Sequence, residues 1–272
     1  MRYQNKVYVI TGASDGIGAE LARQIARRRH KLALAARRAD ALERVAAECR
    51  ALGGQAIAVP ADVAVDADCK RLIDATVDAY GGIDVLINNA GVSMHARFAE
   101  ITDLSTFETL WRINCLGTVQ CTRHAYAHLR RTPVRPRGGQ IVGISSLAGR
   151  TGVPGRSVYC ASKFAQTGFL EALRIEAEDD GIAVTIVYPG VVQTEIRRHG
   201  LNAHGAPAGV SGLAEEGAMP VDVCARLIID AVRARKRELV MTPEGRIGLW
   251  LKLIAPRLVD RIARSKLAKE PE

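Results

Sequence analysis

The chain has 272 residues, of which 48% are hydrophobic and 25% charged. This is an ordinary globular composition, which excludes a disordered or collagen-like chain. At this length one α/β domain can bury a sizeable core without disulfides or metals. The 38 Lys and Arg residues exceed the 29 Asp and Glu residues, giving a net charge of +9. Such an excess is typical of chains that bind nucleic acid, a membrane surface or an acidic ligand. The 4% aromatic content argues against single-stranded nucleic acid, because that usually needs stacking platforms.

Short β-branched runs alternate with longer helical patterns along the chain. The predicted strands are mostly apolar throughout, as expected of strands covered on both faces. They are residues 7–10, 32–35, 56–59, 85–87, 140–144, 183–187 and 238–241. The predicted helices are residues 17–29, 39–51, 66–80, 103–130, 157–179 and 221–235. This alternation predicts an α/β fold with a doubly wound, mostly parallel sheet of seven strands.

Three segments interrupt the alternation. Residues 131–139 form a basic turn rich in Pro and Gly, and residues 195–220 are rich in Gly, Ala and His. Residues 243–272 follow the last strand as a basic tail. We therefore divide the chain into a single catalytic domain, 1–245, and a C-terminal extension, 246–272.

The first strand leads into a glycine-rich turn. Residues 11–18 read TGASDGIG, with the spacing GxxxGxG rather than GxGxxG. Glycines here let the backbone approach a pyrophosphate, and the following helix offers free N–H groups to that anion. A tight strand-to-helix turn without a ligand is the alternative reading. The candidate nucleotide-binding residues of this turn are Gly12, Ser14, Asp15, Gly16, Ile17 and Gly18.

The second strand is followed by two arginines. Arg37 and Arg38 stand where an enzyme specific for NAD usually carries an acid for the ribose 2′-hydroxyl, and no acid occurs at 35–38. This favours NADP(H) over NAD(H). Two points complicate the interpretation. Both arginines could simply be solvated, and the carboxylate of Asp15 would not favour an added phosphate.

Taken together with later motifs, this turn resembles the short-chain dehydrogenase/reductase family in its compact single-domain form. The resemblance covers residues 5–242. It is carried by five ordered motifs: TGASDGIG at 11–18, Asp62-Val63, Asn88-Asn89-Ala90-Gly91, Ser146 with Tyr159-x-x-x-Lys163, and Pro189-Gly190 followed by Thr194. It implies a Rossmann-type fold, oxidoreduction with a nicotinamide nucleotide, and frequent homodimers or homotetramers. It also implies that Asp62 and Val63 flank the adenine, that Asn89, Ala90 and Gly91 line the cofactor, and that Pro189, Gly190, Val192 and Thr194 hold its nicotinamide end.

The candidate catalytic residues centre on one helix. Tyr159 and Lys163 are four residues apart, so both side chains lie on one helical face. A nearby ammonium favours the phenolate of a tyrosine, which can then exchange a proton with a carbonyl or alcohol oxygen. The resemblance adds Ser146, thirteen residues before the tyrosine, to orient the substrate carbonyl. It also adds Asn114, which would hold a water in a proton relay to the lysine, and it assigns Tyr159 and Lys163 contacts with the cofactor as well.

The cysteines and histidines suggest no metal site. The six cysteines show no CxxC spacing, and we interpret them as reduced, buried thiols. Cys160 lies beside the catalytic tyrosine, but no resolving cysteine is evident in the sequence. We expect His95, His199 and His204 to be exposed or to line the substrate cleft. Residues 195–220 occupy the family's substrate loop, and their apolar residues are compatible with an apolar substrate or with a lid.

The C-terminal extension carries an apolar stripe flanked by basic residues. The stripe consists of Ile247, Trp250, Leu251, Ile254, Leu258 and Ile262, spaced by one to four residues along one helical face, and Pro256 should break the helix. Two interpretations are open: a helix lying on anionic lipid, or packing on a subunit partner or beside the active site. The stripe and residues 146–164 also resemble the branch that includes microsomal hydroxysteroid dehydrogenases and their bacterial relatives.

The sequence therefore predicts an NADP(H)-dependent carbonyl reductase or alcohol dehydrogenase acting on a ketone or alcohol, with an apolar or lipid-like substrate suggested. The alternative is a nucleotide-sensing or lipid-surface binding protein that keeps the fold without chemistry. No nucleic-acid recognition motif is visible. No secretory signal and no run of ~18 apolar residues is visible either, so we expect a cytoplasmic protein with at most peripheral membrane contact.

Overall fold

The structure is a computed structural model that describes residues 5–131, 136–196, 198–209 and 217–267. Seven parallel strands form one sheet in the order β3-β2-β1-β4-β5-β6-β7. The strands are β1 (Val7–Thr11), β2 (Lys31–Ala36), β3 (Gln55–Pro60), β4 (Val85–Asn88), β5 (Gln140–Ile144), β6 (Ala183–Tyr188) and β7 (Glu238–Val240). Strands β1, β4 and β5 are buried along their whole length, which explains their continuous apolar character.

Helices cover both faces of the sheet. They are α1 (Gly16–Ala26), α2 (Ala39–Ala51), α3 (Asp66–Tyr80), α4 (Ser105–Leu110), α5 (Gly117–Leu129), α6 (Ser157–Glu176), α7 (Val221–Arg233), α8 (Pro243–Ile254) and α9 (Pro256–Leu267). One core cluster joins the sheet to α1, α2 and α7, and a second joins it to α3, α5 and α6. This arrangement confirms the predicted doubly wound, Rossmann-type α/β fold.

The predicted helix over 103–130 is interrupted. Between α4 and α5 the backbone forms a π-helical segment, Trp111–Leu116, which carries Asn114. A π segment adds one residue to a turn, and such bulges often occur at functional sites. Hydrophobic periodicity cannot reveal this, because the apolar residues on both sides still point to the core.

The three interruptions of the sequence pattern differ in how much of them is described. Residues 132–135 of the first, and 197 and 210–216 of the second, lie outside the described residues. In the third, α8 ends at Ile254 and α9 begins at Pro256, so the predicted break occurs next to the proline. Residues 268–272 lie outside the described residues.

No helix in the described part of the chain is both long and apolar enough to cross a membrane. Among these residues there is also no group of three or more His, Cys, Asp or Glu side chains arranged to hold a metal ion.

Candidate functional site

A cavity of about 430 Å³ opens at the carboxyl edge of the sheet. It lies where β1 pairs with β2 on one side and β4 on the other, so that the crossover connections diverge to opposite faces. In open parallel sheets this switch point is the position at which ligands bind.

The glycine turn forms one wall of the cavity and has no room for side chains. Gly12 has φ +65°, and a Cβ atom there would lie 2.8 Å from the Cα of Ala90. A Cβ on Gly18 would lie only 2.3 Å from the carbonyl oxygen of Gly12. The turn therefore needs glycine both for its left-handed backbone and for the close approach of α1 to β1.

Asp15 ends this turn and begins α1. Its carboxylate accepts a hydrogen bond of 2.7 Å from the backbone N–H of Gly16, and it lies 3.8 Å from the guanidinium of Arg38. The negative charge that complicated the preference for NADP is thus shared with a helix N-terminus and an arginine. Arg37 is exposed beside this pair, and it forms no ion pair with the residues that the structure describes.

The opposite wall follows β3 and β4. The Asn89 amide donates to the carbonyl oxygens of Thr11 and Gly12 at 2.9 and 3.1 Å, which ties the loop after β4 to the glycine turn. The Asp62 carboxylate accepts from the N–H of Ala64 at 2.9 Å, which shapes the loop that presents Val63.

The cavity brings together most of the predicted nucleotide-binding residues. Those that line it are Gly12, Ser14, Asp15, Gly16, Ile17, Arg37, Arg38, Asp62, Val63, Asn89, Ala90, Gly91 and Thr194. Gly18, Tyr159, Lys163, Pro189, Gly190 and Val192 do not line it. Gly18 packs behind the turn, Pro189 accepts a backbone hydrogen bond from Leu147, and Val192 is buried and pairs with Met219.

The candidate catalytic residues gather at the carboxyl end of β5 and the start of α6. Tyr159 is 7% exposed and Lys163 is 3% exposed. The Lys163 ammonium donates to the carbonyl oxygen of Ile144 at 2.9 Å and to Oε1 of Gln166 at 3.1 Å. A Cβ atom added to Gly91 would lie 3.5 Å from Lys163 Nζ, so the nucleotide cavity and the lysine are adjacent.

Burial shifts both titratable groups. It raises the pKa of Tyr159, although the Arg156 guanidinium and a hydrogen bond with Ser146 act to lower it. Burial lowers the pKa of Lys163 to about 7. At neutral pH the tyrosine is therefore a phenol that can donate a proton, and the lysine is close to the midpoint of its titration.

The two adjacent serines have different surroundings. Ser146 is half-buried, and its hydroxyl oxygen accepts from the N–H of Ala148 at 3.1 Å. Ser145 is buried, and its hydroxyl contacts Thr167 Oγ1 at 3.1 Å on α6. Ser145 thus packs between β5 and α6, while the role expected of Ser146 in orienting a substrate stays a prediction.

Asn114 connects the loop after β4 to α6. Its Oδ1 accepts from the N–H of Val92 at 2.8 Å, while its Nδ2 donates to Val92 O and Ser162 Oγ, both at 2.9 Å. Both amide hydrogens are thus used by protein groups, and the side chain holds the loop against the helix. Its expected role in holding a water stays a prediction.

Two residues in this cluster escaped the sequence analysis. The Arg156 guanidinium lies 5.4 Å from the centre of the Tyr159 ring and donates to Ser93 Oγ at 3.1 Å. Arg156 is thus the cation that lowers the pKa of Tyr159, whereas the sequence assigned this effect to Lys163. Its position three residues before the tyrosine, at the N-cap of α6, was a usable signal. Gln166 is fully buried and anchors the lysine, and it lies three residues after Lys163.

The candidate histidines and cysteines show one unexpected contact. His199 lines the cavity, His95 is half-buried, and His204 contacts Thr102 Oγ1 at 3.3 Å.

All six cysteines are buried and free, but Cys69 and Cys121 have their sulfur atoms 3.4 Å apart. Their separation by 52 positions hid this contact from spacing arguments.

The lining of the cavity fits a nicotinamide dinucleotide. The glycine turn leaves a cradle that any Cβ would fill, and a helix N-terminus faces it. The two arginines after β2 suit a further phosphate on the adenosine ribose. The catalytic cluster adjoins the Gly91 end of the cavity.

Comparison with known proteins identifies the family of this chain. Residues 6–203 match the family described as short chain dehydrogenase. An Arabidopsis thaliana relative, 11-beta-hydroxysteroid dehydrogenase-like 4A, is 36% identical over 95% of this chain and 83% of its own length. The 11-beta-hydroxysteroid dehydrogenase A of Arachis hypogaea is 39% identical over 94% of this chain and 73% of its own length.

Solved structures share the fold. A short chain dehydrogenase/reductase from Burkholderia phymatum in complex with NAD superposes with a TM-score of 0.81 at 24% identity, covering 95% of this chain and 96% of that one. An alcohol dehydrogenase from Thermococcus sibiricus complexed with 5-hydroxy-NADP gives a TM-score of 0.74 at 25% identity, covering 87% and 95%. The chain is therefore an oxidoreductase of the short-chain dehydrogenase/reductase family, in the branch of the hydroxysteroid dehydrogenase-like proteins.

Proposed function

We propose that this protein is an NADP(H)-dependent oxidoreductase that interconverts a carbonyl and a secondary alcohol on an apolar, lipid-like substrate, with Tyr159 as the general acid/base. The observation that carries the proposal is the convergence of Tyr159, Ser146 and Lys163 beside a cavity lined by the glycine turn. The bound nicotinamide nucleotide supplies a hydride to the substrate carbon or accepts one from it.

Tyr159 provides the proton. Because burial raises the pKa of its phenol, the protonated form prevails at neutral pH and donates to the substrate oxygen during carbonyl reduction. The Ser146 hydroxyl, which hydrogen-bonds the tyrosine, orients and stabilises the oxygen on which negative charge develops. In the oxidation direction the Arg156 guanidinium favours the phenolate that removes the alcohol proton.

Lys163 and Asn114 have supporting roles in this chemistry. Lys163 is fixed by Ile144 and Gln166, and its pKa of about 7 lets it lose and regain a proton near neutral pH. It is thus suited to pass a proton toward the tyrosine after turnover. Asn114 keeps the loop that lines the nucleotide cavity in register with α6.

The preference for NADP(H) rests on charge. Arg37 and Arg38 lie at the cavity edge after β2, and the Arg38 guanidinium forms an ion pair with the Asp15 carboxylate. Arg37 is the arginine free to approach a 2′-phosphate, because no described carboxylate pairs with it.

An apolar substrate is favoured by the surroundings of the tyrosine. Tyr159 packs in an apolar cluster with Met94, Val158 and the partly buried Leu201. The relatives named as hydroxysteroid dehydrogenases point to the same class.

A turnover screen tests the proposal. Steroid and long-chain ketones and alcohols would be compared with short polar ones, each with NADPH and NADH. We expect turnover of the apolar compounds, faster with NADPH. Turnover of polar compounds alone would refute the substrate class, a preference for NADH would refute the cofactor, and cofactor binding without any turnover would favour a non-catalytic sensor.

A further inference from the structure

Helices α8 and α9 leave large apolar side chains in solvent. On α8 the exposed fractions are 66% for Ile247, 70% for Trp250, 77% for Leu253 and 80% for Ile254. On α9, Leu258 and Ile262 are exposed as well. These six side chains, which we call the apolar face, lie on consecutive helices that pack against each other.

Lys252 fixes the orientation of α8 on the body of the protein. Its ammonium donates to the carbonyl oxygen of Arg150 at 2.9 Å and lies 5.6 Å from the centre of the Phe164 ring on α6. At 3.6 residues per turn, Ile247, Trp250 and Ile254 occupy the side of α8 opposite to Lys252. The apolar face of α8 therefore points away from the catalytic domain.

Basic side chains border the apolar face. Arg257, Arg261 and Arg264 are exposed on α9, and none of them forms an ion pair within the described part of the chain. At 3.6 residues per turn they lie on one side of α9, which adjoins the side that carries Leu258 and Ile262. Asp260 is the acid of this helix, so positive charge prevails.

We propose that α8 and α9 form a docking surface for an anionic lipid membrane, with the apolar face inserted among the acyl chains and the α9 arginines on the headgroups. Amphipathic helices that bind membrane interfaces combine a Trp- and Leu-bearing face with a basic one. Neither helix is long enough to span a bilayer, so the contact is peripheral.

The charge distribution favours lipid over a second copy of this chain. A two-fold contact through this surface would bring the α9 arginines of both copies together, and like charges across an interface disfavour association. An anionic bilayer meets both features at once, since headgroup phosphates neutralise the arginines while acyl chains cover the apolar residues.

Vesicle binding tests this proposal without depending on turnover. The full-length protein would be sedimented with vesicles of phosphatidylcholine alone and with vesicles that also contain phosphatidylglycerol. We expect binding to the anionic vesicles to be about tenfold stronger or more. In a Trp111→Phe background, which leaves Trp250 as the remaining tryptophan, the emission should shift to the blue when anionic vesicles are added.

Two double variants with matched controls separate the contribution of the apolar face from that of the α9 arginines. Trp250→Asp combined with Ile254→Asp should weaken vesicle binding by about tenfold or more, whereas Ile175→Asp, at a 71% exposed position of α6, should not. Arg257→Glu combined with Arg261→Glu should remove the preference for anionic vesicles, whereas Arg44→Glu on α2 should keep it.

Three outcomes would overturn the proposal. The first is equal binding to neutral and anionic vesicles, and the second is binding that survives the Trp250 and Ile254 substitutions. The third is a wild-type dimer, measured by light scattering, that becomes a monomer in this double variant without any vesicle binding by either protein. That result would assign the surface to self-association.

Discussion

The nucleotide side and the catalytic side of the site differ in how far their titratable groups are exposed to water. Along the β1–β2 edge, Asp15, Arg37 and Arg38 are all exposed, and their pairing is loose. At β5 and α6, Tyr159 and Lys163 are nearly inaccessible to water. Water screens the first group, whose charges stay available to select a ligand. Burial disfavours the charged form in the second group, which raises the pKa of Tyr159 and lowers that of Lys163 to about 7. The proposed nucleotide recognition thus lies at the exposed edge of the cavity, and the proposed proton transfer lies in the buried cluster beside it.

Removing the phenol hydroxyl makes the strongest test of this division. Tyr159→Phe should lower kcat by about 10³-fold or more, since general acid/base catalysis at a positioned group contributes on this order. Nucleotide affinity should change little, because the cavity lining stays intact. Steady-state kinetics and fluorescence titration would measure the two effects. The control is Tyr126→Phe on α5, which removes a hydroxyl that is hydrogen-bonded to Asp180. This variant should keep its turnover. Undiminished kcat in Tyr159→Phe would refute the assigned role.

A buried histidine outside the site shows that a perturbed pKa is not confined to the catalytic cluster. Burial and the charges of Lys6 and Arg28 lower the pKa of His30 to about 4. As the pH falls below 6.5, the unfolded chain binds a proton that the folded protein refuses, so stability declines until about pH 4. The loss is on the order of 3 kcal/mol.

Chemical denaturation between pH 7 and pH 4 would measure this slope, which is at most about 1.4 kcal/mol per pH unit for one proton. His30→Gln should flatten it, and His204→Gln, at an exposed histidine, should retain the wild-type slope. An unchanged slope in His30→Gln would show that this histidine is already charged in the folded protein.

Sequence reasoning was most successful where one residue type has one structural use. The apolar runs located all seven strands, because buried parallel strands need apolar side chains on both faces. The glycine turn was readable because Gly12 and Gly18 tolerate no Cβ. Pro256 also located the break between the last two helices, since proline disrupts a helix interior but is tolerated at a helix start.

Other features depend on three-dimensional contacts. The π segment carries Asn114, whose side chain bonds to Val92 and Ser162, and both partners are distant in sequence. The pairing of Arg38 with Asp15 likewise joins two turns that only the sheet brings together. The cation above Tyr159 is Arg156 rather than Lys163, because β5 and Gln166 hold the lysine ammonium.

On the exposed side, Arg37→Ala should weaken the binding of NADPH by about tenfold and the binding of NADH by much less. A guanidinium-to-phosphate contact is a charge-assisted hydrogen bond, whose loss costs roughly this factor when the site is solvated. Isothermal titration with both nucleotides would measure the ratio of affinities. Arg44→Ala on α2 is the control for net charge, and it should leave the ratio unchanged. Equal weakening of both nucleotides would mean that Arg37 does not distinguish them.

The smallest expected effect concerns Arg156, which is neither exposed like Arg37 and Arg38 nor fully buried like Lys163. Arg156 is only partly buried, but its guanidinium lies 5.4 Å from the centre of the Tyr159 ring and lowers the pKa of that phenol. Arg156→Gln keeps a polar group near Ser93 and removes the charge, so the pKa of Tyr159 should rise. The pH dependence of kcat/KM for alcohol oxidation, which needs the phenolate, should move to higher pH. Arg156→Lys restores a cation and should return the midpoint toward the wild-type value. A midpoint that stays fixed in Arg156→Gln would mean that solvent screens this guanidinium from the phenol, as it screens the arginines on the nucleotide side.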